Sequence, residues 1–286
     1  VVDSLTFEHA AADFSPCFLP VSTCETQSAA DQVVAALHWS NSQRVTVRNI
    51  TVRHIGGYGL WFAAGCHDSS ASFLHMYDLG AGGVRIGSAT GDAHNISLTD
   101  STLEDGGHIW PQGCGVLMQA ANGSKVSHNN VRRFSYTGIS VGWSWGFGAT
   151  GNANSVISAN NISTIGQGEL SDMGCIYHLG IDSGTLIEGN ICSNTSAYYY
   201  GGWGYYLDEG SSNVTVRGNV AYNLKTAGFT QHYGVNNTVE QNIFYGVDIG
   251  HRTATLNWSD AGMDSGAGET PPSDRSSFTY RHNVLV

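Results

Sequence analysis

A short strand-forming word, usually opened by a polar residue, returns through this sequence at Ser4, Asn49, Leu74, Asp100, Asn130, Asn161, Asn190, Asn219, Asn242 and Asn283. The intervals are 45, 25, 26, 30, 31, 29, 29, 23 and 41 residues. Each word carries Val, Ile, Thr or aromatic residues and is bounded by Gly, Asn, Asp or Ser, the make-up of short strands between tight turns. No helical stripe of useful length interrupts them. A period of 23 to 31 is too irregular for leucine-rich or propeller repeats but suits coils of parallel strands with loops of varying length. An immunoglobulin-like sandwich would instead show hairpin turns and strict alternation, without Asn returning at one phase. The expectation is an all-β chain, a right-handed parallel β-helix of about ten coils forming one domain over residues 1–286, with a rod length on the order of 45 Å. The two long intervals predict loop insertions near 8–45 and 246–277. Strand-like residues at both ends predict that the polypeptide continues, leaving uncapped coil ends through which an extracellular assembly would form.

Charge and composition narrow the partners. Net charge is −11, and Lys125 and Lys225 are the only lysines, so no basic stripe exists to neutralise a phosphate backbone. Nucleic acid is excluded on that ground, and the lack of an apolar run of about 18 residues argues against membrane insertion. The Val1-Val2-Asp3 start lacks an initiator Met and the blocks of a signal peptide, and reads as a mature or excised segment. Six cysteines and eight Asn-x-Ser/Thr acceptors, at Asn49, Asn95, Asn122, Asn161, Asn194, Asn213, Asn236 and Asn257, fit a secreted eukaryotic glycoprotein. Asn213 and Asn236 are expected to open exposed turns on consecutive coils. Cys17 and Cys24, seven residues apart, are expected to close a local disulfide in the first insertion. Cys66, Cys114, Cys175 and Cys192 fall at different phases or in non-adjacent coils and are expected to be buried free thiols.

Seven runs then stand out in order: Leu5–His9, His54–Phe62, Tyr77–Gly87, Tyr136–Gly146, Ile165–Gly174, Gly201–Ser211 and Gln231–Gly234. In these words, from Leu5 to Val286, the chain resembles bacterial β-helix proteins grouped with glycoside hydrolase family 141. The resemblance implies hydrolysis of a glycosidic bond by paired acidic side chains, with fucosylated or xylan-type polysaccharide as substrate. It maps the acids onto Asp172 and Asp208; no cofactor is expected. Cys175 and His178 depart from the small residues expected on their strand, and the bulk of His178 would narrow or block a sugar subsite.

Cleaving a sugar acetal needs one carboxylic acid to protonate the leaving oxygen and one carboxylate to attack carbon or activate water. Asp208 lies among Trp203, Tyr206 and Gly210, where aromatic neighbours exclude water and raise a carboxyl pKa. Its ordinary alternative is to cap the turn before Ser211. Counting back from Asn190 and Asn219 sets Asp208 opposite Leu179, so Asp172 lies seven positions earlier on the neighbouring coil. A straight strand would hold the two roughly 20 Å apart, and the pair forms only if the chain bends sharply near Asp172 to Gly174. Glu209 is the replacement partner. The same count puts Tyr177, Tyr206 and Phe229 in one outward column and Leu179, Asp208 and Gln231 in the next, to within one residue.

Trp143, Trp145, Tyr200 and Trp203 fall in loops leading to that face, a groove on which sugar rings stack. His178, Glu209, Gln231 and His232 complete the substrate-binding candidates, with His232 orienting a substrate hydroxyl or Glu209. No Asp triplet suits calcium and no Cys or His pair has zinc spacing, so no metal is expected. A second reading is a catalytically inactive structural or glycan-binding component of an extracellular assembly, and a third is a lyase.

Overall fold

The computed structural model describes residues 1–14, 29–247, 256–257 and 278–286. Three long sheets carry the fold, and their strands pair in parallel with strands one coil earlier and later, the end strands on one side only. The first sheet runs from Val2–Asp3 to Phe278–Arg281, the second from Thr6–Glu8 to Val284–Leu285, and the third from Ala35–Trp39 to Leu256–Asn257. The second sheet has ten strands, one per coil, in agreement with the repeat count. This is the expected right-handed parallel β-helix. No helix among the described residues is long and apolar enough to cross a membrane.

The two long intervals are not pure insertions. Ala35–Trp39 pairs with Tyr58–Phe62, and Leu256–Asn257 pairs with Phe229–Thr230, so each interval holds a regular third-sheet strand. Cys17 and Cys24 lie outside the described residues.

Inside the coils, side chains stack in register. Val52, Met76, Leu103, Val131, Ile162, Cys192, Ala221 and Phe244 form one buried column of the second sheet. A polar column stands beside it, where Asn129, Asn160, Asn190, Asn219, Asn242 and Asn283 form a ladder. Each Asn Oδ1 from Asn160 onward accepts from the backbone N–H and the side-chain amide of the Asn one coil before. Each side-chain amide also donates to a backbone carbonyl, so none of these polar groups is stranded. The repeat alignment is off by one at Ser4, Asn49 and Asp100, one residue before the column, and at Asn130 and Asn161, one residue after it. Asn130 and Asn161 are exposed strand residues, and the first Asn of each Asn-Asn pair takes the ladder position.

Cys175 and Cys192 form a disulfide, which corrects the expectation of free thiols there. Gly59, Gly83, Gly115, Gly138, Gly204 and Gly228 occupy the third-sheet column that contains Cys175. A Cβ at any of them would press on Met76, Leu103, Val131, Ile162, Ala221 or Phe244 of the facing second-sheet column. In one coil, cysteine replaces both the glycine and its large partner. The bond crosses the interior between two sheets, a contact invisible to a count of strand phases. Cys66 and Cys114 are free and buried, as expected.

Among the glycosylation acceptors, Asn49, Asn95, Asn122, Asn161, Asn194 and Asn236 are exposed. Asn213 is half-buried, its amide donating to the Asp182 carbonyl at 2.9 Å.

Candidate active site

The site lies on the outer face of the third sheet, across the strands Ile139–Gly142, Gly174–Leu179, Trp203–Leu207 and Phe229–Gln231. Alternation along a strand sends Ile176, Tyr205, Leu207 and Phe229 into the main core. It sends Tyr177, Leu179 and Tyr206 outward, where they form a second apolar cluster with Trp203, Ala227 and Trp143. Tyr177 pairs with Tyr206, as the residue count predicts. One coil later the register differs by one residue: Thr230 faces Tyr206, and Phe229 joins Tyr205 in the core.

Two candidates lie off the groove, Gln231 through that slip and His178 through simple alternation, since it stands between the outward Tyr177 and Leu179. Gln231 pairs with Leu207 and accepts from the Asn237 side chain at 2.9 Å, fully buried. His178 pairs with the core residues Val141 and Leu207 and is also fully buried. Its ring nitrogens lie 3.0 Å from Ser211 Oγ and 3.1 Å from Asp182 Oδ2, so it fills the coil interior and narrows no sugar subsite.

Asp208 follows the strand Trp203–Leu207 directly, and its backbone N–H donates to the His178 carbonyl. A turn-capping Asp would turn its carboxylate onto nearby backbone N–H groups. Here the turn is closed by main chain alone, Ser211 N–H to the Asp208 carbonyl, and the carboxylate is directed elsewhere. The Tyr177 hydroxyl donates to its Oδ2 at 2.5 Å, and His232 Nδ1 lies 3.1 Å from its Oδ1. His232 thus serves Asp208 rather than Glu209, whose carboxylate receives the Tyr233 hydroxyl at 3.2 Å.

Asp172 reaches the same place by the bend that the sequence required. Gly166, Gln167, Gly168 and Asp172 all have positive φ, and Asp172 itself sits at 60°. Its N–H donates to the Tyr200 carbonyl at 3.0 Å, and its carbonyl accepts from the buried Tyr136 hydroxyl at 2.9 Å. The Tyr206 hydroxyl donates to Asp172 Oδ1 at 3.0 Å and also reaches the Asp208 carboxyl. Burial first, and then the neighbouring Asp208 charge, raise the Asp172 pKa to about 6, outweighing the tyrosine hydrogen bonds that lower it.

An unbroken path of aromatic rings runs past the pair. Trp145 lies 5.7 Å from Trp143, Trp143 stacks on Tyr177 at 5.5 Å, Tyr177 meets Tyr206 edge-on at 5.1 Å, and Tyr206 packs on Trp203 at 4.2 Å. Tyr200 follows at 6.2 Å from Trp203, and Tyr199 at 6.3 Å from Tyr200. The loop carrying the two Trp residues closes onto Gly210, where a Cβ would collide with the Gly146 carbonyl. Only glycine tolerates that approach at a φ of 69°. Tyr136, Tyr198 and Tyr199 belong to this region although the residue count assigned them nothing. The unbroken run Tyr198-Tyr199-Tyr200 in a loop was the available signal.

A separate group of metal-ligand type stands at the C-terminal ends of second-sheet strands, Asp78 in His75–Leu79, Asp105 in Thr102–Gly106 and His108 just beyond it. Asp78, Asp105 and His108 bring one ligand atom each within 4.8 Å of one another, and His54 Nδ1 lies 2.5 Å from Asp78 Oδ2. Sequence spacing gave no sign of it, because the residues meet only through coil stacking. His54, Asp78 and His108 also line a cavity of about 300 Å³ with Gly56, Gly80 and Ile109.

The sequence matches the family model described as a right handed beta helix region over residues 35–168 and 143–262. No curated protein matches it by sequence. Among solved structures, it is similar to one titled simply glycoside hydrolase, with 19% identity, a TM-score of 0.63, and coverage of 82% of this chain and 41% of that one. It is similar to XylC in complex with xylose, with 10% identity, a TM-score of 0.61, and coverage of 91% and 50%. It is similar also to the GH136 lacto-N-biosidase from Eubacterium ramulus, with 13% identity, a TM-score of 0.58, and coverage of 99% and 49%. The chain therefore spans half or less of the length of each of these proteins.

Proposed function

The chain belongs to the right-handed β-helix family, and from that premise we propose that it is a secreted glycoside hydrolase, akin to family 141, acting on fucosylated or xylan-type polysaccharide. The observation that carries this reading is the Tyr206 hydroxyl set between the carboxyls of Asp172 and Asp208. Two acids this close, in an aromatic groove on a β-helix, are the minimum equipment for cleaving a glycosidic bond. Structural likeness to carbohydrate-active proteins of the same fold supports the class of substrate.

In this reading Asp172, with its pKa raised to about 6, keeps a proton in mildly acidic solution, where an ordinary Asp would have lost it, and passes it to the departing sugar oxygen. Asp208 receives hydrogen bonds through both oxygens and acts as the carboxylate that attacks the sugar carbon. The exposed acceptor asparagines would carry glycans outside the coils, in keeping with secretion.

Asp208→Asn tests the reading. The fold should persist, since Asn keeps the size and the hydrogen bond from Tyr177, and hydrolysis should fall by more than about 10⁴, beyond the loss of acid-base help alone. Equal activity in the wild type and the variant would remove Asp208 from the mechanism. The near-complete burial of Asp208, 5% exposed, favours a second reading as a glycan-binding protein without turnover. That reading prevails if the wild type binds polysaccharides and cleaves none across a broad panel.

A further inference from the structure

We infer that Tyr198, Tyr199 and Tyr200 on one side of the acid pair and Trp145 on the other are sugar-stacking platforms, so that a neutral polysaccharide lies across the third sheet and is cut internally. The inference rests on the glycosidase reading above and adds the binding direction, the mode of attack and the charge of the substrate.

The first observation is exposure. Tyr198, Tyr199, Tyr200 and Trp145 are 78, 81, 46 and 63% exposed, whereas the rings between them, Tyr177, Tyr206 and Trp203, are buried. Large aromatic faces left in water next to a candidate site mark a surface for a ligand with apolar faces, and the C–H faces of sugar rings meet that description.

The second observation is rigidity. Tyr198 N–H donates to the Leu170 carbonyl at 2.8 Å, Tyr199 N–H to Ser171 Oγ at 3.0 Å, and the Tyr200 carbonyl accepts from Asp172. Lys225 Nζ fastens the loop from the next coil through the carbonyls of Ala197 and Tyr199. A clamped backbone presents these rings with little ordering left to do on binding.

The third observation is direction. The tyrosines precede the third-sheet strand Trp203–Leu207, whereas Trp145 follows the strand Ile139–Gly142. The acids divide in the same way: Asp172 precedes Gly174–Leu179 and Asp208 follows Trp203–Leu207. The aromatic path from Tyr199 to Trp145 therefore runs along the strands, across the rod, with the acid pair between its exposed ends. A glycan on this path has sugars bound on both sides of the scissile bond, which is the condition for internal cleavage.

Charge selects the class. The loops that carry the path hold Glu169, Asp172, Asp208 and Glu209 against the single ammonium of Lys225, already committed to carbonyl oxygens. Such a surface repels polyuronates and sulfated glycans and admits neutral chains.

The test compares the wild type with Tyr198→Ala/Tyr199→Ala and with Trp145→Ala, on neutral xylan and on a short aryl xyloside. Each variant should lose at least about tenfold more kcat/KM on the polymer than on the short substrate, the size of one lost stacking contact. Wild-type digestion should lower xylan viscosity steeply for each reducing end released. Equal losses on both substrates, or release of terminal sugars alone, would overturn the inference while leaving the glycosidase reading to the Asp208→Asn result. If the wild type cleaves nothing, affinity electrophoresis in xylan replaces kinetics. Retardation that disappears in the tyrosine variant keeps the platform and discards the hydrolase, whereas retardation unchanged by the substitutions discards the platform.

Discussion

Asp172 is held in the groove at a cost to the fold. Burial, then the charge of Asp208, raise its pKa from 3.8 to about 6, so the folded state favours the protonated carboxyl. The sign follows from linkage: this contribution to stability is complete below pH 3.8 and is lost as pH rises through about 6. Asp172→Asn removes the penalty and keeps an oxygen for the Tyr206 hydroxyl. Denaturant unfolding at pH 8 should therefore show the variant roughly 2 to 3 kcal/mol more stable than the wild type, with the gap closing toward pH 4. A gap independent of pH would mean that Asp172 is not a buried, proton-retaining acid. The same titration should appear in catalysis as a fall in kcat/KM above about pH 6, since the ionised form has no proton to give. Gain of stability with loss of activity is the expected signature of a residue kept for chemistry.

Cys175 and Cys192 show how single elements depend on the corner between sheets. Elsewhere the third-sheet position is glycine and its second-sheet partner fills the gap, as Gly138 does with Ile162. The bridged coil replaces that packing with a bond closing a 17-residue separation. Reduction of the wild type should therefore lower its unfolding midpoint, by an amount corresponding to roughly 3 kcal/mol in the chain-entropy picture. The double variant Cys175→Gly/Cys192→Ile restores the pattern of the neighbouring coils and should fold with a midpoint indifferent to reductant. Failure of that variant to fold would show that the two cysteines do more than substitute for a glycine and an aliphatic side chain.

Along the whole rod, each coil leans only on its neighbours, so stability need not be uniform. The Asn ladder extends from Asn129 to Asn283, whereas the same column in earlier coils holds Ile50, Leu74 and Ser101. The disulfide also lies in the laddered part. Hydrogen exchange should therefore find the second-sheet amides of Asn161–Ile165 and Ile191–Thr195 slower than those of Thr51–Ile55 and His75–Leu79. Uniform protection along the rod would show that apolar stacking alone sets coil stability.

What the amino-acid sequence determined by itself is the architecture and its phase. Strand-forming words separated by turn residues cannot satisfy their backbone or bury their apolar faces except by stacking, so the repeat implies the coils. The phase from Asn190 to Asn219 is enough to pair Tyr177 with Tyr206 and to set Asp208 on the outer face. Counting along one dimension fails where loops consume residues unevenly. It fails in the slip that buries Gln231, in the choice between Asn129 and Asn130, and in the bond joining Cys175 to Cys192. The bend that carries Asp172 back to Asp208 was decided only in three dimensions. Its left-handed backbone is held by Tyr200 from the next coil and Tyr136 from the one before, contacts that exist once the coils have stacked.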